Sequence, residues 1–249
     1  MKWYHIILYQ LILFPAPLVA GDYSSIVNQL KPNTITIIGE THKHSESITF
    51  FQSLISGHLK QNKCLTVGLE IASNQQAIID KIKQGRAVVS DIEISSIIDH
   101  PPFRKMIDDL VKIQEKGNCL KIIAIDAGDD IDLNRDEWMA IQLADQIGEN
   151  PILVLLGGLH TLKRVDWDTS MTEGSPSVAG ILVSQGYTVR SYPQIWPDSQ
   201  CSAGNRFIPA DHPELPSLLN SSFISLMNAY EYKTAAGVVD GAVVWECAT

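Results

Sequence analysis

Apolar residues along this chain fall into two rhythms. Strand-like runs dominated by Val, Ile and Leu occupy 34–40, 65–70, 121–127, 152–157, 188–193 and 241–246. Runs without polar alternation predict strands covered on both faces. Between them the apolar positions recur every three or four residues, the period of a helix with one buried face. Glu46 to Lys60 carries Ile48, Phe51, Leu54, Ile55 and Leu59 at that spacing, with Ser45 as the expected N-cap. Ser73-Asn74 opens a helix through Ile78, Ile79 and Ile82. Residues 90–116 predict a helical pair, one stripe through Ile92, Ile94, Ile97 and Ile98 and a second from Phe103 to Ile113, broken at Pro101-Pro102. Asn134 is expected to cap a helix from Arg135 to Ile147 with Trp138, Ile141, Leu143 and Ala144 inward. Ser177 to Gln185 forms a shorter helix ended by Gly186. The stretch 194–216, rich in Pro, Ser, Asp and Asn, predicts a surface excursion tied down by Cys201. Strands alternating with helices define an α/β fold: a single domain with a mostly parallel central sheet flanked by helices.

The first twenty residues stand apart from that alternation. Lys2 precedes the apolar stretch Ile6 to Val19, which ends in Leu18-Val19-Ala20-Gly21. A basic start, a short apolar core and small residues at its end predict a secretory signal peptide over 1–20, leaving 21–249 as the domain. Gln10, Pro15 and Pro17 interrupt the stretch, which is shorter than the ~20 residues of a membrane span, so no stable span is expected after cleavage. No cysteine follows closely enough to indicate a lipid anchor. The expected location is exported, periplasmic or extracellular.

Export gives the four cysteines a meaning. Cys64 and Cys119 each stand at the entrance of a predicted strand, in the same phase. Parallel neighbours lie about 5 Å apart, within bridging range. Cys201 and Cys247 make the second expected disulfide, and an even count suits an exported protein. The formal net charge of −9 excludes nucleic acid as a partner, since phosphates require a basic surface.

Candidate chemistry collects at the carboxyl ends of the strands, the edge where α/β sheets bind ligands. Gly39-Glu40-Thr41-His42 follows the first strand and Gly157-Gly158-Leu159-His160 the fourth: the pattern Gly-x-x-His, twice. His44 and Glu46 follow the first motif, Glu70 closes the second strand, Asp126 the third, and Tyr192 falls on the fifth. Imidazole is both a common metal ligand and a base near neutral pH. Glu70, ending an apolar strand, needs a partner, either a bound metal or Arg135. Glu40 is a ligand, a general base or a structural cap. Arg135 opposes the dipole of the helix it begins, which points to an acidic site or an anionic ligand. His44 and Glu46 have the plainer option of opening a helix, and Asp126 that of a turn residue. There is no His-Glu-x-x-His helix, no Gly-x-Ser-x-Gly elbow and no phosphate-cradling glycine loop, which sets aside the common zinc-protease, serine-hydrolase and nucleotide-binding patterns.

Taken in order, Gly39-Glu40-Thr41-His42, Glu70, Arg135-Asp136-x-x-Met139-Ala140, the closing Gly-x-x-His and Asp240-Gly241-Ala242-Val243-Val244-Trp245 resemble the superfamily that unites erythromycin esterase, the ChaN-like haem-binding uptake proteins and the Tiki/TraB proteases, closest to the ChaN-like branch. The resemblance spans about 34 to 246. It implies an α/β sheet with both Gly-x-x-His loops and the glutamates around one pocket, and either metal-dependent peptide cleavage, lactone hydrolysis, or haem binding at a cell envelope. The anchor cysteine of the ChaN-like branch is missing, and His42-Lys43-His44 replaces its cluster of adjacent histidines.

The sequence therefore predicts an exported hydrolase-like protein acting on an ester or amide of a small-molecule or peptide ligand. His42, Glu70 and His160 are expected to hold a divalent metal or activated water, with Glu40 as general base and Arg135 orienting Glu70 or steadying an anionic intermediate. The alternative is an envelope protein that binds haem or iron without turnover, for which Tyr23, Tyr187 and Tyr192 are available ligands.

Overall fold

The computed structural model describes residues 23–170 and 174–247; the expected signal peptide lies outside the described residues. Seven strands form one sheet: β1 (Thr34–Glu40), β2 (Leu65–Ala72), β3 (Leu120–Asp126), β4 (Ile152–Gly157), β5 (Thr188–Ile195), β6 (Gly204–Pro209) and β7 (Gly241–Glu246). Their order is β3-β2-β4-β1-β5-β7-β6. All neighbours are parallel except β6 and β7.

The helices are α1 (Ser24–Val27), α2 (Ser45–Leu59), α3 (Gln76–Lys83), α4 (Pro101–Glu115), α5 (Arg135–Ala144), α6 (Val178–Ser184) and α7 (Leu215–Ser222). Successive residues of a strand face opposite sides, and the sheet has a core on each. Ile38, Leu153 and Leu155 pack with Ile48 and Phe51 of α2 and Phe103 of α4. Ile35, Ile37 and Val154 pack with Met139 and Leu143 of α5 and with Val178 and Leu182 of α6. A third cluster, with Ile208, Leu215, Leu219 and Phe223, fills the space beside β6 and β7. This double cover is why all positions of β1 and β4 are buried and why their sequences lack alternation.

Both disulfides are formed. Leu65 pairs with Leu120 across β2 and β3, which sets Cys64 and Cys119 side by side at the strand entrances, Cα atoms 4.5 Å apart. Cys201 and Cys247 join the segments flanking β6 and β7. No helix among the described residues is long and apolar enough to cross a membrane.

Five local expectations are corrected. The first half of 90–116 is not a helix: only a 3-10 turn at Val89–Asp91 forms, and Ile97 is 63% exposed while Ile92 and Ile98 are buried. The Asp91 side chain accepts the Val88 amide at 2.9 Å, a local bond that competes with helix formation, and four β-branched isoleucines weaken it further. Pro101 and Pro102 do not separate two helices; they start α4, where a missing N–H costs nothing. The N-cap of α2 is His44, with Ser45 already helical. α5 stops at Ala144, and Ile141 is 38% exposed, so its buried face runs through Met139, Ala140 and Leu143 instead. Finally, the 194–216 excursion holds β6, an antiparallel edge strand ended by Pro209, whose mixed Asn-Arg-Phe-Ile sequence suits a strand packed on one side.

Candidate active site

β1, β4, β2 and β3 are consecutive in space, and their carboxyl ends place Glu40, the Gly157–His160 turn, Glu70 and Asp126 along one edge. The glycines of the two motifs serve close approach. A Cβ on Gly39 would lie 2.7 Å from Thr161 Cγ2 and 3.0 Å from Pro193 Cα. A Cβ on Gly158 would lie 2.6 Å from the Phe223 ring. A Cβ on Gly157 would stand 3.3 Å from both Cε1 and Nε2 of His42 and 3.5 Å from Cδ2 of His160. The two imidazoles thus converge over the bare Cα of Gly157, from loops that follow neighbouring strands.

Each ring is oriented by a carboxylate. His42 Nδ1 lies 3.0 Å from Glu40 Oε1, and Glu40 is buried. His160 Nδ1 lies 2.9 Å from Asp136 Oδ2, which also accepts the Val178 amide at 3.1 Å. With both Nδ1 atoms engaged, both Nε2 atoms are left for a ligand. Glu40 holds the His42 pKa above its usual 6.5 through this hydrogen bond and its charge, against the cost of burial. The second Glu40 oxygen, Oε2, is buried with no hydrogen-bond partner among the described residues. The turn that delivers His42 passes through Lys43 at φ +69°, a left-handed conformation that costs a lysine roughly 1 kcal/mol.

Beneath the rings lies an ion-pair lattice. Arg135 donates through Nε and Nη2 to Asp126, both at 2.7 Å, and through Nη2 to Glu70 Oε1. The remaining Glu70 oxygen accepts the Gly157 amide at 2.7 Å. Glu70 therefore clamps the base of the second motif, and His160 Nε2 stands 4.0 Å from its Oε1. These two carboxylates keep the guanidinium pKa above its normal value despite partial burial. Arg135 Nη1 has no partner among the described residues, and the side chain is 45% exposed.

The remaining residues expected at this edge lie elsewhere. β5 runs on to Ile195, so Tyr192 is a mid-strand position paired with Ile38; its ring is buried 5.9 Å from Phe207, and burial pushes its hydroxyl up to about 12. The His44 ring lies against Trp196, tilted 33° with centroids 4.4 Å apart, and Glu46 borders a groove with Tyr23 and Trp245, away from the His42–His160 pair. Tyr187 precedes β5 and packs on the α5–α6 side core. Asp136 is the residue that sequence reasoning missed. It stands in the quoted Arg135-Asp136 motif, but an acidic residue in a first helical turn has an ordinary explanation in the helix dipole.

Among the described residues no three or more His, Cys, Asp or Glu side chains are gathered as a metal centre. Both Glu70 oxygens are committed to Arg135 and Gly157, so Glu70 has none left to join the two imidazoles as the expected third ligand. The residues present do not fit the expected three-ligand metal site.

The fold and its edge of paired histidines and carboxylates define the chain as an α/β protein with a mostly parallel central sheet and a polar site at the carboxyl ends of its strands. It is similar to ChaN of Campylobacter jejuni, which binds haem cofacially, with a TM-score of 0.53 and 11% identity over 90% of this chain and 92% of that one. It also matches the type III effector HopBA1 (TM-score 0.49, 10% identity, 92% and 94% covered). A further match is the C-terminal region of Pasteurella multocida toxin, which has a thiol-protease-like catalytic triad (TM-score 0.43, 12% identity, 67% of this chain and 23% of that one). At these identities the ChaN likeness establishes the fold alone. No family model and no curated protein matches the sequence.

Proposed function

We propose that the protein is an exported hydrolase that activates water between two carboxylate-oriented histidines and cleaves an ester or amide. The observation that carries this is the convergence of His42 and His160 over Gly157, each ring anchored at Nδ1 by its own carboxylate. A base needs a free imidazole nitrogen and a partner that stabilises the cation formed when it takes a proton. Glu40 supplies that partner for His42, and the raised pKa makes His42 a stronger base than an ordinary imidazole. Water between the rings gives its proton to His42 Nε2 as its oxygen attacks the carbonyl carbon. The free Nη1 of Arg135 donates to the developing oxyanion. His160, entering the step as the imidazolium that Asp136 stabilises, hands its Nε2 proton to the leaving oxygen or nitrogen as its bond to carbon breaks, and the proton held on His42 then passes to His160 to restore the pair. Glu70 and Asp126 are positioning residues that hold Arg135 and the Gly157 turn.

The two disulfides support an exported location. The haem-binding alternative draws on the ChaN likeness, but Tyr192 is in the core, Tyr187 stands at the amino end of β5 and Tyr23 lines the groove with Glu46 and Trp245, so the imidazoles would remain as axial ligands.

The test is hydrolysis of a panel of chromogenic esters and fluorogenic peptides by purified protein, alongside His42→Ala and Glu40→Gln. Turnover at least a hundredfold above the His42→Ala variant on some panel member supports the reading. Rates equal to that variant across the panel, together with a saturable Soret shift on haem titration, would replace it with the binding role.

A further inference from the structure

A cleft of about 430 Å³ opens beside the paired histidines. Arg135, Asp136 and His160 form its polar end, and Leu159, Trp167 and Met227 are among its apolar walls. Leu159 is 40% exposed, and a large apolar side chain left open at a polar edge suggests an apolar ligand. Trp167 is a fixed wall. Its backbone bridges to Ala229, flanked by Tyr230 N to Asp166 O at 2.7 Å and Asp168 N to Asn228 O at 3.0 Å. Its indole lies against Gly174, where a Cβ would come within 2.0 Å of the ring. Glycine at 174 is what lets the chain pass under the indole.

The two ends of the site differ. His160 and Arg135 line this cleft, whereas His42 does not. A water activated on the His42 side attacks from there, so the bond that breaks points toward His160 and the cleft. Charge narrows the ligand further. Glu40, Glu70, Asp126 and Asp136 surround a single arginine, so the site stays acidic even with one imidazole carrying a proton. An anionic substrate is disfavoured there, and a product carboxylate is repelled.

We infer that this cleft receives the uncharged, bulky apolar alcohol or amine half of the substrate, with Trp167 and Leu159 as its specificity-determining residues. The inference rests on the hydrolytic reading and names its substrate class: neutral esters or amides of aromatic or branched alcohols or amines. Water supplies the new C–O bond, the C–O or C–N bond to the apolar half breaks, that half leaves protonated through the cleft, and the acid leaves as its carboxylate.

The test compares acetates of 2-phenylethanol and ethanol, whose leaving groups are of similar basicity. Wild-type kcat/KM is expected to be about tenfold higher for the phenylethyl ester. Trp167→Ala and Leu159→Asp bring that ratio toward one, whereas Ile97→Asp, at a remote exposed position, leaves it unchanged. Leu159 is exposed, so its variant keeps the fold if Trp167→Ala loses it. Saturation-transfer NMR with 2-phenylethanol reads the cleft without turnover: binding to wild type and loss in Leu159→Asp are expected. Binding without ester turnover keeps the cleft and sinks the hydrolytic reading. Absence of 2-phenylethanol binding, or an unchanged ratio in both cleft variants, overturns the inference.

Discussion

Glu40 and Asp136 do the same job from unrelated places, one at the end of a strand and one in the first turn of a helix. Replacing either with its amide keeps the shape but removes the charge that favours the histidine cation and its tautomer. Asp136→Asn is expected to lower kcat by at least a hundredfold with little change in KM, measured by steady-state kinetics. Glu40→Gln has a further signature. Because the His42 pKa is raised, a rate that needs neutral His42 falls off on the acid side at a pH above 6.5. Removing Glu40 moves that limb down, so a kcat/KM profile for Glu40→Gln should retain activity to lower pH than wild type, from a lower maximum. Arg135→Leu leaves Glu70 and Asp126 as buried carboxylates without their cation. Since Arg135 is itself about half exposed, the expected cost is about 2–3 kcal/mol, read from urea unfolding at pH 7. That Glu40, His42, Glu70 and His160 share one edge was legible in sequence because polar groups after apolar strands stand out, and Arg135 stood out because it opposes the dipole of the helix it begins. Asp136 was not legible, because its helix offers it an ordinary role, and only the fold shows which ring it faces.

At the scale of elements, β1 and β4 could be read directly because burial on both faces strips them of polar residues. β6 could not, because an edge strand packed on one side reads like loop, and its pairing with β7 is a long-range fact. Tyr192 shows the cost of a misplaced boundary. Ending β5 two residues early turned a core tyrosine into an apparent site residue, whereas Pro193, Gln194 and Ile195 continue the strand. The Cys64–Cys119 bridge was visible because strand entrances in parallel register put their flanking residues together. It closes a chain segment of sequence separation 55, so Cys64→Ser with Cys119→Ser is expected to lower stability by about 4 kcal/mol, checked by denaturant unfolding of the double variant.

For the whole molecule, the strand order brings β1 and β4 together although more than a hundred residues separate them, and this is what turns two short motifs into one site. The same assembly sets opposing pH effects. The raised pKa of His42 stabilises the fold below 6.5, and that contribution is lost as pH rises through the folded value. Burial lowers the pKa of His58, so its contribution is present above 6.5 and lost as pH falls. His42→Asn should therefore steepen the fall in Tm between pH 8 and pH 5, measured by differential scanning calorimetry. The central claim, that the two histidines act as one catalytic unit, is tested most directly by a kinetic cycle of His42→Ala, His160→Ala and the double variant on the best ester of the panel. Residues that act as a unit are non-additive. The account predicts that each single variant loses nearly all the activity and that the double variant is no worse. Losses that multiply, or a His160→Ala enzyme as fast as wild type, would contradict it.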